Sequence, residues 1–254
     1  MKNNKFDNDI AVLKEAIQKD RLVIFAGAGV SYDSGVPLWK ELTEEISKNL
    51  NETVDEQDPM KLAQILYNEK GQKRYFDIIE KVLETNKGYY NPIHEIIFEL
   101  NPQHIITTNF DDFFESIIYE KGLPFSTVSR DDDLPYAKHK KLLIKYHGDL
   151  KSKNIVFKEN DYLEFSKSNT LKEVFIKSLF SNKTILFIGY SVSDPNLKML
   201  IRDLQTILKI HYQKAHFLHH GDNKSESEIR YYENLGIWTC NKKLDFKLSD
   251  YAAS

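Results

Sequence analysis

The 254-residue chain carries 35 Lys+Arg against 38 Asp+Glu, a formal net charge of −3. That length suits one large α/β domain, and a chain of this size buries enough surface to need no disulfide or metal staple. One cysteine, Cys240, excludes an internal disulfide and a C-x-x-C zinc ribbon, and the balanced charge gives no reason to expect nonspecific nucleic-acid binding.

The N-terminal segment opens on a helix over 7–20, with Ile10, Leu13, Ala16 and Ile17 at helical spacing. Leu22-Val23-Ile24-Phe25-Ala26 follows, a short unbroken apolar run of the kind that a parallel sheet covered on both faces requires. It ends in Gly27-Ala28-Gly29-Val30-Ser31. Pro37 suits the first turn of a helix carrying Leu38, Leu42 and Ile46, and further helices are predicted around 60–68, 73–83 and 93–100. That stretch, about 38–100, is too long for one crossover and reads as a helical insert in a core formed by 1–37 and 101–254.

The α/β rhythm then resumes. Strands are predicted at 104–107, 142–146, 184–188, 215–218 and 236–239, with helices at 112–119, 163–165, 171–180, 195–210 and 227–234. No apolar run nears the 18–20 residues that span a bilayer, and no apolar N-terminal leader is present. The chain is expected to be soluble and cytoplasmic, with no membrane partner.

Strands alternating with helices imply a Rossmann-like, doubly wound parallel sheet that binds ligands at the carboxyl ends of its strands. Four strands end in loops of small or polar residues: the Gly27 loop, Asn109, His147 and Gly189. The Gly27 loop fits a phosphate cradle, but Tyr32 stands at the sixth position of G-x-G-x-x-G and no Gly-Lys-Ser/Thr follows. A plain tight turn is the competing account. Taken alone, Asn109 reads as part of a helix cap with Asp111 or Asp112. His147, at a strand's carboxyl end, is placed where a neutral imidazole can take a proton from a sugar hydroxyl or water. His211, His216, His219 and His220 lack carboxylates or cysteines at ligand spacing, so a metal site is not favoured, and Asp131-Asp132-Asp133 reads as a solvated loop.

Together these pieces resemble the sirtuin family. The segment from Gly27 to Pro37, Gly-Ala-Gly-Val-Ser-Tyr-Asp-Ser-Gly-Val-Pro, is similar to the family's GAG-x-S-x-x-S-G-I/V-P motif. Thr108-Asn109-Phe110-Asp111 is similar to Q-N-x-D, His147-Gly148 to the catalytic H-G, and Gly189-Tyr190-Ser191 to G-T/A-S, all in family order. The chain departs from the deacetylases in three ways. It lacks the four-cysteine zinc module, it has Pro37-Leu38-Trp39-Lys40 in place of P-D-F-R, and Thr108 replaces the Gln before Asn109. Those departures, with the helical insert, resemble the bacterial SIR2-like branch, whose members act as NAD-consuming effectors in antiphage defence.

The resemblance implies hydrolysis of the nicotinamide–ribose bond of NAD⁺ without zinc. A zinc-free deacylase or ADP-ribosyltransferase, or a non-catalytic NAD- or ADP-ribose-binding module, are the alternatives. It implies that Asn109 orients the nicotinamide ribose or a water, that Asp111 supports the nicotinamide or the loop, and that His147 is the base. Ala26, Gly27, Ala28, Gly29 and Ser31 would hold the pyrophosphate, Gly189 and Ser191 the adenosine side, and Pro37 and Trp39 the nicotinamide end. A homo-oligomer is expected, gated by the insert, whose Tyr75, Phe76, Ile78 and Ile79 exceed what one apolar stripe needs. A regulatory domain, protein partner or phage-derived activator would open it, and the chain is expected to be the N-terminal part of a longer protein.

Overall fold

The structure, a computed structural model, describes residues 2–37, 39–52, 54, 58–84, 88–191, 194–218 and 225–240. Seven strands form one parallel sheet in the order β3-β4-β2-β1-β5-β6-β7. They are β1 (Leu22–Ala26), β2 (His104–Thr107), β3 (Phe125–Val128), β4 (Lys141–Lys145), β5 (Thr184–Ile188), β6 (Ala215–Leu218) and β7 (Ile237–Cys240). The chain winds outward from β1 through β2 to β4 and β3, then returns to lay β5, β6 and β7 on the other side. The winding therefore reverses between β1 and β5, and a crevice opens there beyond the strand ends.

The side-chain period of two explains why β1 is apolar throughout. Val23 and Phe25 enter a cluster with Ile106, Ile144, Phe180, Phe187 and Leu200. Leu22, Ile24 and Ala26 enter another with Ala16, Ile97, Ile105, Phe114 and Leu143. Helices α8 (Thr170–Asn182) and α9 (Pro195–Leu208) thus cover one face, and α1 (Lys2–Gln18), α4 (Pro92–Glu99) and α5 (Phe113–Lys121) cover the other. With both faces buried, no position on β1 has water to favour a polar residue.

A third cluster joins α2 (Trp39–Lys48) and α3 (Pro59–Glu84) to the segment carrying Ile155 and Phe157. Gly71, at φ 72° and ψ 168°, is not helical and breaks α3 into two helices, as the sequence predicts. Tyr75, Ile78 and Ile79 are buried inside this cluster and Phe76 packs against it. Tyr75, Ile78 and Ile79 therefore face inward and offer no free apolar face of the kind expected for a subunit contact, whereas Phe76 is only partly buried. The apolar face of α4 serves the sheet instead, through Ile97.

Two local readings are corrected. β3 was not expected: it has only four residues, and its Ser126 and Thr127 are at least partly exposed because it lies at the sheet edge. Asp131-Asp132-Asp133 is no solvated loop but starts a 3₁₀ turn over Asp131–Tyr136. Asp133 Oδ2 accepts from the Ser129 and Arg130 N–H groups. Asp131 accepts from the N–H groups of Leu171 and Lys172, and so caps α8. Orphan N–H groups at the start of a helix give a carboxylate this role. Where one short helix is expected at 163–165, the chain forms two, α6 (Glu159–Leu163) and α7 (Phe165–Ser168), which meet at Glu164. No described helix is long and apolar enough to cross a membrane.

Candidate functional site

The loops after β1 and β5 touch backbone to backbone. Gly27 N–H donates to Ile188 O at 3.0 Å, and Gly29 N–H donates to Gly189 O at 2.8 Å. A Cβ on Gly27 would lie 2.6 Å from Gly189 O, and one on Gly29 would lie 2.8 Å from it. The glycines here let two loops close on each other, and both N–H groups are spent in doing so.

Ser31, fully buried, joins two of the motifs. Its Oγ donates to Asp111 Oδ2 at 2.8 Å and accepts from Asn109 Nδ2 at 2.9 Å. Asn109 Nδ2 also donates to Gly27 O at 3.2 Å. His94, which the sequence reading did not single out, completes the group. Asn91 N–H donates to His94 Nδ1, which leaves Nε2 as the protonated nitrogen facing Ser31 Oγ at 3.3 Å. The hydroxyl then gives its one proton to Asp111 and accepts two. Burial holds His94 below the ordinary histidine pKa, against the pull of the Asp111 carboxylate. The sequence clue to His94 is the Asn91-Pro92-Ile93-His94 capping box that begins α4. Asn109 Oδ1 is buried with no hydrogen-bond partner among the described residues, an open acceptor in a network otherwise satisfied through its Nδ2.

His147 follows β4 and is 2% exposed, with Tyr146, Tyr162 and Phe165 rings around it. Its Nε2 lies 2.6 Å from Asp194 Oδ2, although the ring N–H does not point squarely at the oxygen. Its Nδ1 is buried and unpartnered. Asp194 caps α9, with Oδ1 accepting from Leu197 N–H at 2.9 Å. Burial works to raise its carboxyl pKa. The His147 charge and hydrogen bond, with the N–H groups of Leu197 and Asn196, outweigh burial and leave it below the usual range. The sequence signal for Asp194 was its place before Pro195, which announced a cap and hid a second role.

Two lysines fasten these loops from beneath. Lys145, fully buried, donates to Asp111 O and pairs with Glu115 Oε1 at 3.3 Å. Lys172 donates to Ser129 O at 2.7 Å and to Lys145 O at 3.0 Å. Burial lowers the Lys172 pKa to about 8, against the opposing charges of Asp131, Asp133 and Asp149. Between pH 8 and its unfolded value near 10.4 the unfolded chain holds a proton that the folded chain lacks, so stability rises with pH there. Urea midpoints are expected to climb from pH 8 toward pH 10 by more in the wild type than in Lys172→Met. Equal slopes would exclude Lys172 as the source.

The other predicted residues are placed as follows. Ala26 ends β1 and Ala28 begins the 3₁₀ turn after Gly27. Pro37 lies half-buried ahead of α2, Trp39 starts α2, and the Trp39 side chain lies outside the described residues. Ser191 is exposed just past Gly189, outside the Ser31 network. His216 is buried 3.6 Å from Asp9, His211 is exposed, and His219 and His220 lie outside the described residues. Among the described residues no group of three or more His, Cys, Asp or Glu is placed to hold a metal ion. A cleft of about 520 Å³ between α3 and the 153–169 segment includes Tyr67, Tyr75, Arg130 and Lys158. None of Gly27, Asn109, His147 or Gly189 lines it.

Fold and site define a doubly wound α/β protein whose polar network sits at the switch point of its sheet, over the carboxyl ends of β1, β2, β4 and β5. The model for the SIR2-like domain family matches residues 103–240, more than half of the sequence. The chain belongs to that family. It is 33% identical over 249 residues to defense-associated sirtuin 2 of Bacillus subtilis, covering 93% of this chain and 24% of that protein. It is 29% identical over 198 residues to the NAD(+) hydrolase ThsA of Cytobacillus dafuensis, covering 76% of this chain and 40% of the relative. The chain thus spans under half the length of these relatives. A solved sirtuin, from work on the structural basis of sirtuin substrate affinity, shares 14% identity at a TM-score of 0.49, covering 90% of this chain and 96% of its own.

Proposed function

We propose that the chain hydrolyses the nicotinamide–ribose bond of NAD⁺ as the catalytic domain of an NAD-depleting antiphage effector. The observation that supports this reading is the buried Ser31–Asn109–Asp111 network after β2 with the buried His147 after the neighbouring β4, in a family whose members include NAD(+) hydrolases. The C1′–N bond breaks with its electron pair leaving on nicotinamide, which departs neutral because it was cationic in NAD⁺. Water oxygen bonds to C1′, and the water proton passes to His147 and on to solvent. Little push is needed on such a leaving group, so holding the substrate and shielding an oxocarbenium-like centre dominate. The open Asn109 Oδ1 orients the water or a ribose hydroxyl. Asp111 holds Ser31 and through it the Gly27 loop, which meets the pyrophosphate, with Gly189 and Ser191 on the adenosine side.

With Asn109 and His147 this deeply buried, NAD⁺ enters only after the loops part. Such latency suits an enzyme whose free activity would exhaust its cell, and a substrate such as NAD⁺ suits a cytoplasmic protein. It also fits activation by assembly of copies, by an attached domain or by a phage component. The reading is tested by incubating NAD⁺ with the protein at several concentrations, with and without an acylated peptide. Nicotinamide and ADP-ribose are followed by chromatography. Equimolar release without peptide is expected; release only with peptide would instead establish a deacylase. Turnover is also expected to survive an excess of chelator, and loss restored only by zinc would overturn the metal-free mechanism.

A further inference from the structure

We propose that Asp194 is the positioning residue for His147, holding the ring with its proton on Nε2 so that Nδ1 is the basic nitrogen. The proposal rests on the NAD⁺-hydrolysis reading for its kinetic consequences, though not for its structural ones. The two side chains are 2% and 6% exposed, and their closest atoms, Nε2 and Oδ2, lie 2.6 Å apart, within the distance of an N–H···O bond that a small turn of the ring would align. A carboxylate is only an acceptor, so the proton of that bond belongs to Nε2. That leaves a lone pair on Nδ1, which is buried, lies away from the carboxylate and has no hydrogen-bond partner among the described residues.

The position of the carboxylate is itself determined. Asp194 Oδ1 accepts from Leu197 N–H, so α9 fixes one oxygen as a helix cap and presents the other to the imidazole. The backbone that carries the imidazole is held as well. Val156 N–H donates to His147 O at 2.8 Å, and Gly148 N–H and the Lys172 ammonium both donate to Lys145 O. The Tyr146, Tyr162 and Phe165 rings pack around the imidazole. With Nε2 turned to Asp194, the nitrogen that remains for a substrate is Nδ1. An acid that fixes the tautomer of a base in this way is worth much of the rate in hydrolases built on serine, histidine and aspartate.

A cap alone and a cap with a tautomer role make different predictions for Asp194→Asn. Asparagine caps a helix as well as aspartate does, so α9 and the fold should persist. Its amide nitrogen, however, donates toward Nε2 and drives the proton to Nδ1. The expected result is a fall in kcat of ~10²–10⁴-fold with KM changed less than about threefold. Asp194→Ser, also a capping residue, should lose rate similarly, and it stands in if the asparagine variant folds poorly.

A second readout needs no turnover. In protein labelled with ¹⁵N at histidine, and with His147→Gln to identify the signal, His147 should show an Nε2–H tautomer in the wild type. It should show an Nδ1–H tautomer in Asp194→Asn. An unchanged tautomer, or wild-type kcat in both folded variants, would overturn the proposal. A switched tautomer in a protein with no NAD⁺ hydrolysis would retain the pairing and defeat the functional reading instead.

Discussion

His147→Gln is expected to lower NAD⁺ turnover by ~10²–10⁴-fold, the usual loss when a general base is removed. At 1.36 kcal/mol per decade that is about 3–5 kcal/mol of transition-state stabilisation. Glutamine fills much of the ring's volume and its amide can still donate to Asp194, so Asp194 is not left as an unpaired buried charge. The urea midpoint should therefore move little. Asn109→Ala is expected to fall as far for another reason. It removes the open Oδ1 together with the Nδ2 that ties Ser31 Oγ to Gly27 O, so the ligand's acceptor and the seat of the Gly27 loop go at once. Single-turnover kinetics on both variants, with circular dichroism as the fold control, check this. Near-normal turnover by folded His147→Gln would remove His147 from the chemistry.

Gly189→Ala is expected to be a strongly damaging methyl addition at the site. Gly189 has φ 60°, and a Cβ there would lie 2.4 Å from Val30 N and 2.8 Å from Gly29 C. Both are backbone atoms, so no side chain can swing aside. The left-handed conformation costs ~1–2 kcal/mol for alanine, and the forced separation adds the ~1–3 kcal/mol typical of overpacking. A loss of about 2–5 kcal/mol is expected, together with the Gly29 N–H to Gly189 O bond. Gly122→Ala is the control. It has nearly the same φ, 59°, but nothing within 4 Å of the added methyl, so only the backbone cost should appear. If the two variants unfold at the same urea concentration, the contact between the β1 and β5 loops contributes nothing.

Much of this architecture is written locally. The apolar run from Leu22 to Ala26 defines a strand buried on both faces, and β2, β5 and β6 carry the bounds expected from their own residues. The Gly27–Pro37 segment and the ordered motifs at Asn109, His147 and Gly189 were enough to place the chain among SIR2-like proteins. Short-range patterns suffice there because strand periodicity and glycine's freedom are properties of a few neighbouring residues.

What needed the folded chain were the relations between distant segments. β3 became visible only by pairing with β4, since Phe125-Ser126-Thr127-Val128 has too few apolar positions to announce itself. His94 and Ser31 lie 63 residues apart, and His147 and Asp194 also come from separate motifs. Each is an unremarkable cap or loop residue in isolation. The inward face of Tyr75, Ile78 and Ile79 was likewise undecidable from helical spacing, because a second apolar stripe looks the same whether it meets a partner or the protein's own 155–157 segment. Burial, hydrogen-bond partners and the tautomer of a histidine depend on what lies across space, and tertiary structure alone supplies that.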